Sequence, residues 1–354
     1  MKLAWGLAVF AMFGLIACSN VTPGNGAVLG KKVAFLVPGT DRFDGKDRPF
    51  FETKVHALCS DCEVIYRNAN QDAAAQEKQA DAALANGAVA IVLDPVDGQA
   101  ASAIVAKATK RKVPVIAYER LIINADGLKY FVGFDDQSVG VIQATSLLKR
   151  LGTQVNPTIV MINGDPDDPA AALVKKGAHS VLDGKVKVAN EYDAKASSSD
   201  TAKDAMTQAL TALGNKVDGV YAANDSLASG AILALKQAKV SPLPPVTGGE
   251  AQLEAVQRVL AGDQYMTVYK PIKLEAEAAA QLAYELAYGI VVPMSTTNGN
   301  TVNNGARDIP ALLVPPLEVN RRTVVSTVLA DGFWKRSEIC TPQYQPACQS
   351  VGIA

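Results

Sequence analysis

The sequence is short of charge imbalance, aromatic rings and histidine, and each shortage removes a class of function. Lys and Arg number 34 against 35 Asp and Glu, so the formal net charge is −1. Such a chain has no basic field to attract nucleic acid, and no nucleic-acid partner is expected. Only two histidines occur, His56 and His179, far apart on stretches that read as helices. Neither is assigned to a metal, and no metal or other cofactor is expected. Aromatics are 6% of the residues, which favours helices packed on sheets over an all-β fold. No GxxxxGK(S/T) loop is present and no GxGxxG follows a strand, so nucleotides lack a cradle. Hydrophobic residues make up 49% and charged residues 19%, as in a folded chain. At 354 residues the chain exceeds one ordinary core, and two domains are expected.

Long apolar runs are scarce too. The stretch "LAWGLAVFAMFGLIA" (3–17) follows Lys2; it is short for a membrane span but suits the h-region of a secretory signal. Its end, Leu15-Ile16-Ala17-Cys18, resembles a bacterial lipobox. That resemblance implies a signal peptide over 1–17, acylation of Cys18, and an anchor linker over 18–30. The expected location is the outer face of the cytoplasmic membrane, reached through the lipid anchor only. In an oxidising compartment Cys59, Cys62, Cys340 and Cys348 are expected as disulfides. Three pairings are possible. The local ones, Cys59–Cys62 and Cys340–Cys348, are preferred because each staples a short loop.

What the chain does have is strict alternation of strand and helix. "KKVAFLV", "CEVIYRNA", "AVAIVLD" and "VPVIAYE" read as strands, separated by amphipathic helical stretches. The order restarts at "PTIVMING" and continues through "VKVANEYDA", "VDGVYAAND" and "PPVTGGE". Asp94 to Glu119 spans 25 residues, and so does Asp225 to Glu250. Alternating β and α units imply α/β lobes with parallel sheets, and the restart suggests a duplicated doubly wound unit.

In open parallel sheets ligands sit beyond the carboxyl ends of the strands. Those ends carry Asp94, Glu119-Arg120, Asp135-Asp136, Asn163, Asn224-Asp225 and Glu250. A single polar strand end is usually a helix cap or a turn. This many together, from two facing lobes, point to a polar cleft. Carboxylates accept, guanidinium donates and amides do both, so a ligand with many hydroxyls satisfies the set. Arg42 and Phe43 follow the first strand; Phe43 is a candidate platform for the apolar face of a sugar and Arg42 a donor.

With "KDRPFFE", "ANGAVAIVLDPVDGQA", "VPVIAYERLI", "FVGFDDQSVGVIQA", "AANDSLASGAILAL" and "YMTVYKPI" in this order, the chain resembles the periplasmic xylose-binding protein family, within the ribose- and galactose-binding group. The resemblance runs from Lys31 to about Trp334. It implies a receptor that closes on one monosaccharide and presents it to the permease and ATPase of an ABC importer, acting as a monomer. It also implies a ligand set of Arg42, Phe43, Glu119, Arg120, Asp135, Asp136, Asp168, Asn224, Asp225, Glu250 and Lys270, to which the strand ends add Asp94. Family geometry implies three crossings between lobes, dividing the chain into 31–135 with 251–314 and 136–250 with 315–354. Three departures bear on the sugar. Glu119 and Glu250 stand where aspartate is usual, and Pro169-Ala170 follow Asp168 where the family has two asparagines.

Two rival functions are weaker, and a third stays open. A glycosidase built on Glu119 with Asp225 or Glu250 would need one carboxyl marked as the acid, and the sequence marks none. A sugar-responsive transcription factor needs an N-terminal helix-turn-helix where the apolar run stands. A surface receptor serving signalling instead of import uses the same closing cleft.

Overall fold

The computed structural model describes residues 31–39 and 42–353; the expected signal peptide, the linker and Cys18 lie outside the described residues. The first lobe begins with β1 (Lys32–Val37), α1 (Arg48–Leu58), β2 (Glu63–Asn68), α2 (Ala73–Ala85), β3 (Ala88–Leu93), α3 (Ser102–Lys110), β4 (Val115–Tyr118) and β5 (Tyr130–Phe134). β1 and β3 read as nearly unbroken apolar runs because helices cover both faces of the sheet. One face carries Ile104, Val105 and Ala108 of α3 with Ala80, Ala83 and Leu84 of α2. Local signals set the helix ends. Asp72 caps α2 by accepting from the backbone N–H groups of Ala74 and Ala75 at 2.9 and 3.0 Å, and Gly87 beyond its end adopts φ +84°.

The second lobe follows with α4 (Asp136–Leu151), β6 (Thr158–Asn163), α5 (Pro169–Leu182), β7 (Lys187–Asp193), α6 (Ser199–Leu213), β8 (Gly219–Ala222), α7 (Asp225–Gln237), α8 (Leu253–Ala261) and β9 (Thr267–Tyr269). The chain then returns to the first lobe for α9 (Ile272–Ala287), β10 (Thr301–Asn303) and β11 (Asp308–Val314). It ends with β12 (Leu317–Val319), α10 (Arg336–Ile339) and α11 (Gln345–Ser350) in the second. The first sheet has the order β10-β11-β5-β4-β3-β1-β2, parallel except for the β10–β11 pair. The second repeats its core motif as β7-β6-β8. In both, the first strand lies between the next two, so each lobe has a switch point at the carboxyl end of β1 or β6.

Two expectations change. "PPVTGGE" forms a single bridge, Val220–Val246, because Pro244 and Pro245 have no N–H to give a ladder. Residues 251–269, expected with the first lobe, pack in the second. The Tyr265 N–H donates to Val246, β9 pairs with β12, and Ala251, Val256 and Leu260 share a core with Val319, Val324 and Val328. The return crossing is therefore at Lys270–Pro271, not at Glu250. From Ile272 the helix buries Ala276, Ala279, Ala280 and Ala283 against β1, β3, β4 and α1. Asp135 separates β5 from α4, and Pro315–Pro316 separate β11 from β12.

Both preferred disulfides are present, Cys59–Cys62 and Cys340–Cys348. Cys348 is fully buried in the core under β12, so its bridge fixes the C-terminal segment to that core. The double variant Cys340→Ser/Cys348→Ser is expected to lose about 2 kcal/mol of stability in denaturant titration, with the second lobe unfolding first.

Candidate functional site

At the carboxyl end of the first sheet one guanidinium gathers three carboxyl groups. Arg42 donates to Asp47 from Nε at 3.2 Å and from Nη2 at 3.0 Å. The same Nη2 lies 3.1 Å from Glu119 Oε2 and 3.6 Å from Glu275 Oε2. Asp47 and Glu275 are fully buried, and Tyr118 Oη donates to Asp47 Oδ1 at 2.7 Å. Glu119 follows β4 in the left-handed region, φ +59°, and its N–H donates to Val132 at 2.9 Å. Burial opposes its ionisation, but Arg42 and Lys270 hold its carboxyl down to about 2.

Asp94, at the end of β3, is fully buried, and neither carboxylate oxygen has a hydrogen-bond partner among the described residues. Its loop is pinned by Gln76, which donates to the Asp94 carbonyl at 2.8 Å and accepts from the Val96 N–H at 2.9 Å. Burial pushes the Asp94 carboxyl well above the usual range; Glu119 adds to the rise, while Arg120 and Arg42 oppose it. Arg120 itself is exposed, its Nη1 3.4 Å from the Pro95 carbonyl.

The second sheet supplies the other wall. Asp136, Asp168, Asn224, Glu250 and Lys270 line one cavity of about 110 Å³. Asp168 and Asn224 hold their places as N-caps, accepting from Ala170 N and Leu227 N, each at 2.9 Å. Lys270 Nζ donates to Asp136 Oδ1 at 2.7 Å, which ties the return crossing to the first one. Glu250 repeats the Glu119 arrangement, with φ +89° and its N–H donating to Val268 at 2.8 Å. Its Oε2 accepts from Gln252 Nε2 at 2.9 Å.

Three expected ligands have other duties. Phe43 is 5% exposed and belongs to the first-lobe core, with the Arg42 guanidinium 5.0 Å from its ring centre, so it presents no open stacking face. Asp225 is fully buried and its oxygens accept from Gln264 Nε2, Thr267 Oγ1 and Gln252 N at 2.8–2.9 Å. Burial pushes it up to about 7 against those three donors. Asp135 caps α4 through the Ser138 N–H at 3.0 Å. The equal 25-residue intervals do not mark equivalent positions throughout. Glu119 and Glu250 correspond, but the Asp94 N–H donates to β1 as the Ala223 N–H donates to β6, so Asp225 lies two residues further on.

Sequence reasoning missed Asp47, Tyr118 and Glu275. Glu275 left a signal: on α9 it falls in the stripe of Ile272, Ala276, Ala279 and Ala283, where a charge breaks an apolar face. Among the described residues no group of three or more His, Cys, Asp or Glu could hold a metal, and no helix is long and apolar enough to cross a membrane.

Two doubly wound parallel sheets with polar residues at the carboxyl ends of their strands are the fold of a solute-binding protein. The periplasmic binding protein domain family matches residues 33–290, and the chain belongs to that family. It is 36% identical over 299 residues to the D-xylose-binding periplasmic protein of Escherichia coli, covering 83% of this chain and 88% of that one. The protein of the same description from Haemophilus influenzae is 35% identical over 299 residues, 83% and 87%. A structure of an ABC transporter solute-binding protein from Clostridium phytofermentans with bound β-D-glucose superposes with a TM-score of 0.72 at 25% identity, covering 87% of this chain and all of that one. These relatives are binding proteins and not enzymes.

Proposed function

We propose that this protein is an exported, lipid-anchored receptor that closes its two lobes on a monosaccharide, xylose or a related pyranose, and delivers it to an ABC importer. The observation that carries the reading is Asp94: a buried carboxyl whose two oxygens have no partner among the described residues is costly unless something completes it. Sugar hydroxyls are donors of the right kind. Arg42 and Glu119 supply a donor and an acceptor beside it, and Arg120 stands at the rim. Across the cleft Asn224, Asp136, Glu250 and Lys270 offer the complementary wall. A ligand touching both walls favours the closed state, with motion taken up at 135–136, 270–271 and 315–316.

The sugar named by the Escherichia coli and Haemophilus influenzae relatives is the first candidate. The altered wall at Asp168-Pro169-Ala170 and the longer Glu119 and Glu250 reshape the site around it, which admits a different pyranose. A thermal-shift screen of the mature chain without Cys18 against pentoses, hexoses and cyclitols tests the reading. A ligand that binds only the folded state raises the melting temperature by mass action. A selective rise with one aldopyranose is expected. No rise with any sugar contradicts the proposal.

A further inference from the structure

Arg42 meets Asp47, Glu119 and Glu275 together, and one guanidinium cannot neutralise three carboxylates. Among the described residues, the other groups facing this cluster supply no donor to Glu275. Asp94 follows β3 nearby, Tyr118 of β4 turns its hydroxyl to Asp47, and Lys270, one residue before the N-cap of α9, is paired with Asp136. Arg120 is exposed at the rim. Glu275 itself is fully buried, and no N–H or O–H among the described residues donates to either of its oxygens. The Glu119 carboxyl is its neighbour on the same guanidinium nitrogen, Arg42 Nη2 lying 3.1 Å from Glu119 Oε2 and 3.6 Å from Glu275 Oε2. Two carboxyl groups approach each other in that way when one of them carries a proton.

We propose that Glu275 is a positioning residue, a neutral acid whose O–H donates to Glu119 and fixes that carboxylate between Arg42 and the cleft. Asp47 and Glu119 then share Arg42 without a third negative charge. The two buried acids divide their roles by environment. Burial and the neighbouring Glu119 push Glu275 well above the ordinary range, whereas Arg42 and Lys270 keep Glu119 ionised. The consequence for ligand rests on the sugar-receptor reading: Glu119 is presented to a hydroxyl in one orientation, with one acceptor oxygen already occupied. The proton itself is a property of the unliganded protein.

The test therefore uses the unliganded mature chain, with glutamate carboxyl carbons labelled with carbon-13 and titrated by NMR from pH 2 to 9. One glutamate signal is expected to keep the position of the protonated acid at pH 7.5 and to vanish in Glu275→Gln. The Glu119 signal, assigned with Glu119→Gln, is expected to keep its low midpoint in Glu275→Gln, whose amide still donates. In Glu275→Leu, which removes the donor, that midpoint should rise by about one pH unit. Where the Leu variant fails to fold, Glu275→Met replaces it. Every glutamate ionised at pH 7.5 in the wild type would overturn the proposal. So would a Glu119 midpoint that is the same in the Gln and the apolar variants. Neither outcome depends on whether a sugar binds.

Discussion

Replacing Arg42 with Ala is expected to abolish sugar binding and to lower the stability of the unliganded protein by about 3 kcal/mol. Both effects come from one atom group. Arg42 bonds to Asp47 and Glu119 and lies against Glu275, and two of those carboxyls are fully buried. Removing the cation leaves the Asp47 and Glu119 carboxylates without compensation, and it also removes a ligand donor. Arg120→Ala provides the contrast. Arg120 is exposed and makes only a long contact to the Pro95 carbonyl. Its loss should abolish binding while leaving the denaturation midpoint near that of wild type. Calorimetric titration with D-xylose and D-glucose, beside urea denaturation, separates the two variants. A stable Arg42→Ala protein with wild-type affinity would contradict the assignment.

Asp94→Asn is expected to act in opposite directions on function and stability. Hydrogen bonds to a charged partner contribute about 1.5–3 kcal/mol, so losing them weakens sugar binding by roughly 10- to 150-fold. The unliganded protein, by contrast, should gain stability. A carboxyl raised well above its ordinary value stabilises the fold only while protonated. That contribution is fully present below the unfolded value of about 4 and is lost as pH rises through the folded value. The Asn variant escapes the loss. Its melting temperature should exceed that of wild type by more at pH 8 than at pH 5. A variant less stable than wild type at pH 8 would show that Asp94 has a protein partner after all.

The architecture was legible because its signals are local and repeated. Strand runs such as "VAFLV" and "AVAIVL" are apolar throughout since both sheet faces are covered, and caps such as Asp72 and Asn224 announce the following helices. Short-range disulfides were legible for the same reason. The strand ends were legible as polar positions, and Glu119 and Glu250 share a left-handed turn there. What escaped depends on contacts between distant segments. Asp225 follows a strand like Asp94 does, but Gln264 and Thr267 reach it from beyond α8, and no local pattern records that. Phe43 reads as a cleft aromatic until Arg42 covers it. The chain stays in the second lobe past Glu250 because Tyr265 bonds to Val246 and β9 pairs with β12, a pairing across about fifty residues of chain.

The central claim is that one sugar is held by both walls of this cleft. A crystal structure of the mature protein with the monosaccharide giving the largest thermal shift tests it most directly. The account predicts sugar hydroxyls within hydrogen-bond distance of Asp94 and Arg42 on one side and of Asn224 or Asp136 on the other, with the lobes closed about the three crossings. A sugar bound outside the cleft, or held by one lobe with Asp94 still unpartnered, would contradict it.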